Sequence, residues 1–173
     1  MSARGTDKEI VSKYCPILAT LGYVMSADGQ QVLLMHRNKR ADDVHYGKYN
    51  GLGGKLDRNE DIVSGMRREI REEAGIEALD LVLRGTISWP GFGKNGEDWF
   101  GFLFRIDTWT GQVSQGNHEG VLEWVNINEL DAVKFWESDR CWLDMVFERS
   151  NQTFHGLAPF HDNEPVSWSC VRL

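Results

Sequence analysis

GGKLDRNEDIVSGMRREIREEAGI, residues 53–76, decides how this chain reads. Ile62, Met66 and Ile70 recur every four residues with Val63 beside them, and Gly75 follows as a stop, so the spacing predicts a helix over 61–74. Glu69, Glu72 and Glu73 stand at i, i+3 and i+4, which puts three carboxylates on one face next to the apolar stripe. Like charges at this spacing repel, and in the last turns of a helix the macrodipole also disfavours anions. One reading is a solvated acidic face; the other is a face neutralised by a cation. Carboxylate oxygens with no His or Cys nearby suit a hard ion, hence Mg²⁺ or Mn²⁺ rather than zinc.

Working outward from the helix, the pattern changes to strands. Residues 17–25 and 31–36 are apolar runs joined by Ala27-Asp28-Gly29, the signature of a hairpin. A polar loop of mixed charge follows over 37–48, and Gly51-Leu52-Gly53-Gly54 marks a place where the backbone bends or approaches something closely. Strand-like runs recur at 81–89, 99–109, 122–127 and 166–173, with Phe100, Phe102 and Phe104 alternating in the second. A second helix is expected over 139–149. Mixed strands around two helices, one in mid-chain, point to an α/β (α+β) sandwich.

Composition narrows the function. The chain has 173 residues, 41% hydrophobic and 26% charged, as one globular domain does; a polar tail at 1–15 and a domain over 16–173 are the expected division. A formal net charge of −7 disfavours a module that grips the phosphates of long nucleic acid through a basic face. If the ligand is a phosphate compound, a cation has to supply much of the positive charge. No apolar run is long enough to span a bilayer, and the N-terminal stretch is too polar for a signal peptide. Cys15, Cys141 and Cys170 are odd in number and widely spaced, so no disulfide framework is expected and the cytoplasm is the expected compartment. The seven tryptophans fit a pocket, a core or an interface, with a monomer the favoured state.

Gly54, Glu60, Arg68-Glu69-Ile70, Glu72-Glu73 and Gly75-Ile76 match the Nudix box at its constrained positions, and the chain resembles the Nudix hydrolase family on that account. The resemblance implies an α/β/α sandwich with a mixed sheet, a loop-helix-loop at its centre, and hydrolysis of nucleoside diphosphates linked to another group. It implies that Glu69, Glu72, Glu73 and the Gly53 carbonyl hold the divalent cation, with Glu119 completing the site from a loop. Glu60 and Arg68 then pair to hold the helix in place. Glu72, Glu73 or a later glutamate takes the proton of the attacking water.

The flanks resemble MutT-type members that destroy 8-oxo-dGTP. GKYNGLGGK, residues 47–55, matches their corresponding segment and makes Asn50, Leu52, Gly53, Gly54 and Lys55 candidate substrate contacts. Carried over by position, Asn50 bonds the base, Trp136 stacks on it and Asp139 reads its polar edge. Ser138 stands where vertebrate members have a second aspartate, and the 37–48 loop is longer than theirs. His36, His45 and His118 each fit a phosphate contact or an exposed position. Two other readings remain: a Nudix hydrolase of ADP-ribose or a nucleotide sugar, and a non-catalytic nucleotide-sensing module. The second sits poorly with a full set of box glutamates. No GxxxxGK[ST] occurs, which removes the P-loop reading.

Overall fold

The computed structural model describes residues 14–173 except 44 and 94. The expected polar tail therefore falls, as far as residue 13, outside the described residues. β1 (Ile17–Met25) and β2 (Gln31–His36) form the antiparallel hairpin, with Val24 opposite Leu33. Asp28 closes its turn, since Oδ1 accepts from the Ser26 hydroxyl at 2.6 Å and from the Gln30 N–H at 3.0 Å. All four central residues of β2 are buried because the sheet is covered on both faces. Val32 and Leu34 enter one core, Leu33 and Met35 the other.

β3 (Tyr49–Asn50) pairs with the end of β2, and the chain then enters α1 (Ile62–Ala74). Asp61 caps this helix by accepting from the Val63 and Ser64 N–H groups at 2.8 and 3.0 Å. Its apolar face buries Met66, Ile70 and Ala74, of which Met66 and Ile70 each gain about 1.5–3 kcal/mol from burial. Gly75 ends it at φ 72°, donating to the Arg71 carbonyl. A Cβ on Gly75 would meet nothing nearer than 3.7 Å, so Gly75→Ala adds backbone strain alone. We expect it to lower the free energy of urea unfolding by about 1–2 kcal/mol.

β4 (Ile76–Trp89) starts directly after that cap and pairs antiparallel with β5 (Trp99–Gly111), which lies parallel to β1. β6 (Val121–Asn126) takes the other edge of β2. α2 (Leu143–Phe147) follows a 3₁₀ turn at Asp139–Cys141. β7 (Phe154–Leu157) runs parallel to β4; β8 (Phe160–His161) and β9 (Glu164–Pro165) make a separate small hairpin. β10 (Ser169–Arg172) closes on β7. The result is a mixed sheet with α1 packed on one face and α2 on the other, an α+β protein in α/β/α order. No helix among the described residues is long and apolar enough to cross a membrane.

Three expectations need correction. The strand expected at 81–89 begins at Ile76, with irregular register near Asp80 that accommodates its polar residues. The helix expected at 139–149 breaks at Trp142, whose φ of −133° lies outside the helical region while its ring is buried against Tyr23. The closing strand at 166–173 is confined to Ser169–Arg172.

Candidate active site

The glycine loop and α1 meet over β1. Leu52 exchanges both backbone hydrogen bonds with Gly22, and the Gly54 carbonyl accepts from the Thr20 N–H, so the loop is laced to β1. Gly53 has φ 146°, and a Cβ there would stand 2.1 Å from the Thr20 oxygen; only glycine passes this point. A Cβ on Gly54 would lie 2.6 Å from Glu69 Oε1. The loop thus rests directly on the helix carboxylates, and the Gly53 N–H donates to Glu73 Oε2 at 2.8 Å.

Arg68 organises the face. Its Nε and Nη2 donate to the two oxygens of Glu60 at 2.8 and 2.9 Å, a bidentate pair. Its Nη1 reaches Glu69 at 2.8 Å and Glu72 at 3.3 Å, while Nη2 also reaches the Lys55 carbonyl at 3.1 Å. The guanidinium hydrogen bond holds Glu60 below the usual carboxylate range. Burial raises Glu69 against the opposing pull of Arg68. Burial pushes Glu73 up to about 8, opposed by the Gly53 N–H and reinforced by the charges of Glu69 and Glu119. Glu119, 82 residues from Arg37 in sequence, forms an ion pair with it. Arg37 also pairs with Asp43, tying the 37–48 loop to the acidic centre.

Beside this centre opens a cavity of about 430 Å³, within the range of small-molecule sites. Trp89, Phe92, Trp99, Trp136, Trp142 and Phe160 give it aromatic walls. Thr20, Asn50 and Asp139 add polar groups, and Glu73 and Gly53 form part of the same lining. Among the described residues, five buried side-chain polar atoms lack a partner. Four of them (Thr20 Oγ1, Asn50 Oδ1, Trp99 Nε1 and Trp142 Nε1) belong to residues lining this one cavity. Orphaned polar atoms concentrated in the residues around one cavity are what a ligand-binding site leaves before the ligand arrives. Burial pushes Asp139 up to about 7, with the Ser138 hydroxyl opposing weakly from 3.4 Å. Lys48 Nζ lies 3.9 Å from the centre of the Trp136 ring.

The residues expected from the sequence are therefore distributed over two adjoining places. Gly53, Glu60, Arg68, Glu69, Glu72 and Glu73 meet at the helix and loop, with Glu119 alongside. Asn50, Gly54, Lys55, Trp136 and Asp139 line the cavity. Leu52 does not: its side chain is fully buried in the core beneath α1, and its backbone groups belong to Gly22. Arg37, Asp43 and Phe92 are parts of the site that the helix pattern could not disclose; their only signal was membership of the long polar loop and of the glycine-rich turn after β4. His45, expected at a phosphate or exposed, lies instead against Trp136 in the cavity wall.

The donor set at this centre suits a cation. Around half-buried Glu73 stand Glu69 and Glu119, all oxygen ligands, whose charges add to the burial that raises Glu73; this is the chemistry of a hard divalent ion. Among the described residues, no three His, Cys, Asp or Glu side chains already converge closely enough to hold one. Glu69 and Glu72 are drawn to Arg68 and Glu119 to Arg37, as like-charged groups are when arginines are within reach.

Known proteins resemble this chain in sequence and fold. The NUDIX domain pattern matches residues 16–146, from the approach to β1 through most of α2. The chain is 28% identical over 120 residues to the oxidized purine nucleoside triphosphate hydrolase of Danio rerio, covering 69% of this chain and 74% of that one. It is 29% identical over 122 residues to the uncharacterized Nudix hydrolase YvcI of Bacillus subtilis, covering 68% and 72%. The crystal structure of the MutT protein from Bacillus halodurans aligns with a TM-score of 0.76 at 25% identity, over 89% of this chain and 97% of that one. A match over most of the chain, on a fold that brings the box glutamates to one loop, leaves one conclusion: the chain belongs to the Nudix hydrolase family.

Proposed function

We propose that the protein is a divalent-cation-dependent pyrophosphohydrolase of oxidised purine nucleoside triphosphates, converting 8-oxo-dGTP to 8-oxo-dGMP and pyrophosphate and so clearing damaged precursors from the nucleotide pool. The observation that carries this reading is that Glu73 and Gly53 line the same cavity as Asn50, Trp136 and Asp139. A base held among the aromatic walls would lie next to the acidic centre, where its phosphates are cut. The Danio rerio relative's name supports the substrate class. Three exposed cysteines, none in a disulfide, accord with a cytoplasmic setting.

Glu69, Glu72, Glu73, Glu119 and the Gly53 carbonyl would hold Mg²⁺, with Mn²⁺ as its substitute, and the ion would lend positive charge to the phosphates and acidify the attacking water. The rest falls to the protein. Arg68, fixed by Glu60, keeps Glu69 and Glu72 over the loop. Glu73 is the box carboxylate in the cavity lining, and it would take the proton that water gives up as its oxygen bonds to phosphorus. The phosphorus–oxygen bond to the departing group breaks, leaving a nucleoside monophosphate and pyrophosphate. Trp136 supplies stacking area, which is tolerant of base identity, whereas Asn50 and Asp139 discriminate by hydrogen bonding.

The test is a panel of normal and oxidised nucleoside triphosphates, ADP-ribose and nucleotide sugars with Mg²⁺, products identified by mass. We expect kcat/KM for 8-oxo-dGTP to exceed that for dGTP by about tenfold or more. A preference for ADP-ribose or a nucleotide sugar overturns the proposal.

A further inference from the structure

His45 is a pocket residue that the reaction described above does not use. It sits in the loop between β2 and β3, where its own N–H donates to Asp43 Oδ1 at 3.0 Å, and Asp43 is in turn gripped by Arg37. Its ring is edge-on to Trp136, with centroids 5.6 Å apart and planes at 87°. Both base-side candidates converge on one of its atoms: Trp136 Nε1 lies 2.9 Å from His45 Nδ1, and Asn50 Nδ2 lies 3.2 Å from the same nitrogen.

Donor chemistry then fixes every proton in the group. An indole nitrogen can only donate, so His45 Nδ1 carries no proton and the ring's single hydrogen is on Nε2. A bare Nδ1 can only accept, so the Asn50 atom facing it is the amide nitrogen. The flipped amide would set an oxygen lone pair against a nitrogen lone pair. Asn50 Oδ1 is consequently turned away from His45, where it is buried without a partner. Burial and the charge of Arg37 push the imidazole down to about 4, which keeps it neutral at ordinary pH.

We propose that His45 sets the hydrogen-bond polarity of the cavity: by accepting from both Trp136 and Asn50 it locks the Asn50 amide with its oxygen unspent, so that the site selects bases that offer an N–H donor. This rests on the cavity being the base site of the proposed reaction. The orphaned oxygen loses its water on folding and regains a partner only from a ligand N–H, so a base with C–H or a lone pair at that place is rejected. His45 acts through Asn50 and Trp136 and is a positioning residue.

Three product-like probes test this on the full chain by titration calorimetry: 8-oxo-dGMP, dGMP, and the monophosphate of 2′-deoxyribosylpurine, whose base has no N–H. We expect 8-oxo-dGMP to bind about tenfold or more tighter than the purine monophosphate. His45→Phe keeps the ring and removes the acceptor, and should narrow that ratio to about threefold or less. His45→Asn, which can place an oxygen near the Nδ1 position, should restore it. An undiminished ratio in His45→Phe, or no discrimination in the unaltered protein, overturns the inference and leaves the proposed reaction standing. Failure of all three probes to bind overturns the base site and this inference together. Independently of any variant, the ¹⁵N spectrum of histidine-labelled protein should show His45 protonated at Nε2 alone; a proton on Nδ1 overturns the inference.

Discussion

Glu73→Gln is expected to lower kcat by about a hundredfold to a thousandfold while leaving the fold intact, and removing divalent cation with a chelator should stop the parent enzyme to at least the same degree. The substitution keeps shape. The amide oxygen can still accept the Gly53 N–H that Glu73 Oε2 now accepts at 2.8 Å, and a neutral group costs less to bury at this site than a carboxylate crowded by Glu69 and Glu119. The melting temperature should therefore stay within a few degrees of the parent's or rise. What is lost is a charge for the cation and a place for the water's proton. Glu77→Gln is the control: Glu77 is paired with Arg71 on the surface, and its neutralisation should leave turnover within about twofold. Near-normal turnover by Glu73→Gln would show that this carboxylate is not part of the catalytic centre.

The acidic centre was legible in the sequence because a helix converts spacing directly into geometry. Residues 69, 72 and 73 share a face whatever the rest of the chain does, and Glu60 and Arg68 lie within one loop of them. The alternation in β5 and the continuous apolar run of β2 were readable for the same reason, since strand periodicity also maps onto faces. The remainder depended on tertiary placement. Arg37 meets Glu119 across 82 positions and Trp136 meets His45 across 91, and neither pairing leaves a local signal. The helix expected at 139–149 failed where burial overrode periodicity. Trp142 inserts into the core between the 3₁₀ turn and α2 and takes the backbone out of helical geometry as it does so. β7, only four residues long and interrupted by Gly156, has too little pattern to be seen; Gly156 is there because a Cβ would stand 2.3 Å from the Trp168 ring. Leu52 shows the limit of carrying a role over by position: it belongs to the motif, but its motif duty is packing.

Asp139→Ala should raise KM for 8-oxo-dGTP by about tenfold to a hundredfold and flatten the ranking of bases, with metal dependence unchanged. Asp139 lines the cavity and its carboxyl is buried, so its loss removes a directional contact that Trp136, a stacking surface, cannot replace. Ser138 is itself buried but offers only a hydroxyl where the resemblance implies a second carboxylate, which leaves Asp139 as the acid of the pair, and a measured ranking should favour oxidised guanine over oxidised adenine more strongly than in the vertebrate enzymes. Asp139→Asn separates the contact from the charge. Burial raises the folded-state pKa from the ordinary 3.8 to about 7, so the folded protein holds this proton more tightly than the unfolded chain. The stability Asp139 contributes is complete below about pH 4 and is lost as pH rises through 7. An asparagine has no proton to lose, so Asp139→Asn should gain on the parent in melting temperature between pH 4 and pH 8, with the difference largest at pH 8. The discrimination between 8-oxo-dGTP and dGTP should fall in both variants, because the amide cannot change between donor and acceptor as the carboxyl does. An Asp139→Ala enzyme with its substrate ranking intact would show that the base is read elsewhere, and a flat melting difference across that pH range would show that the carboxyl is open to water.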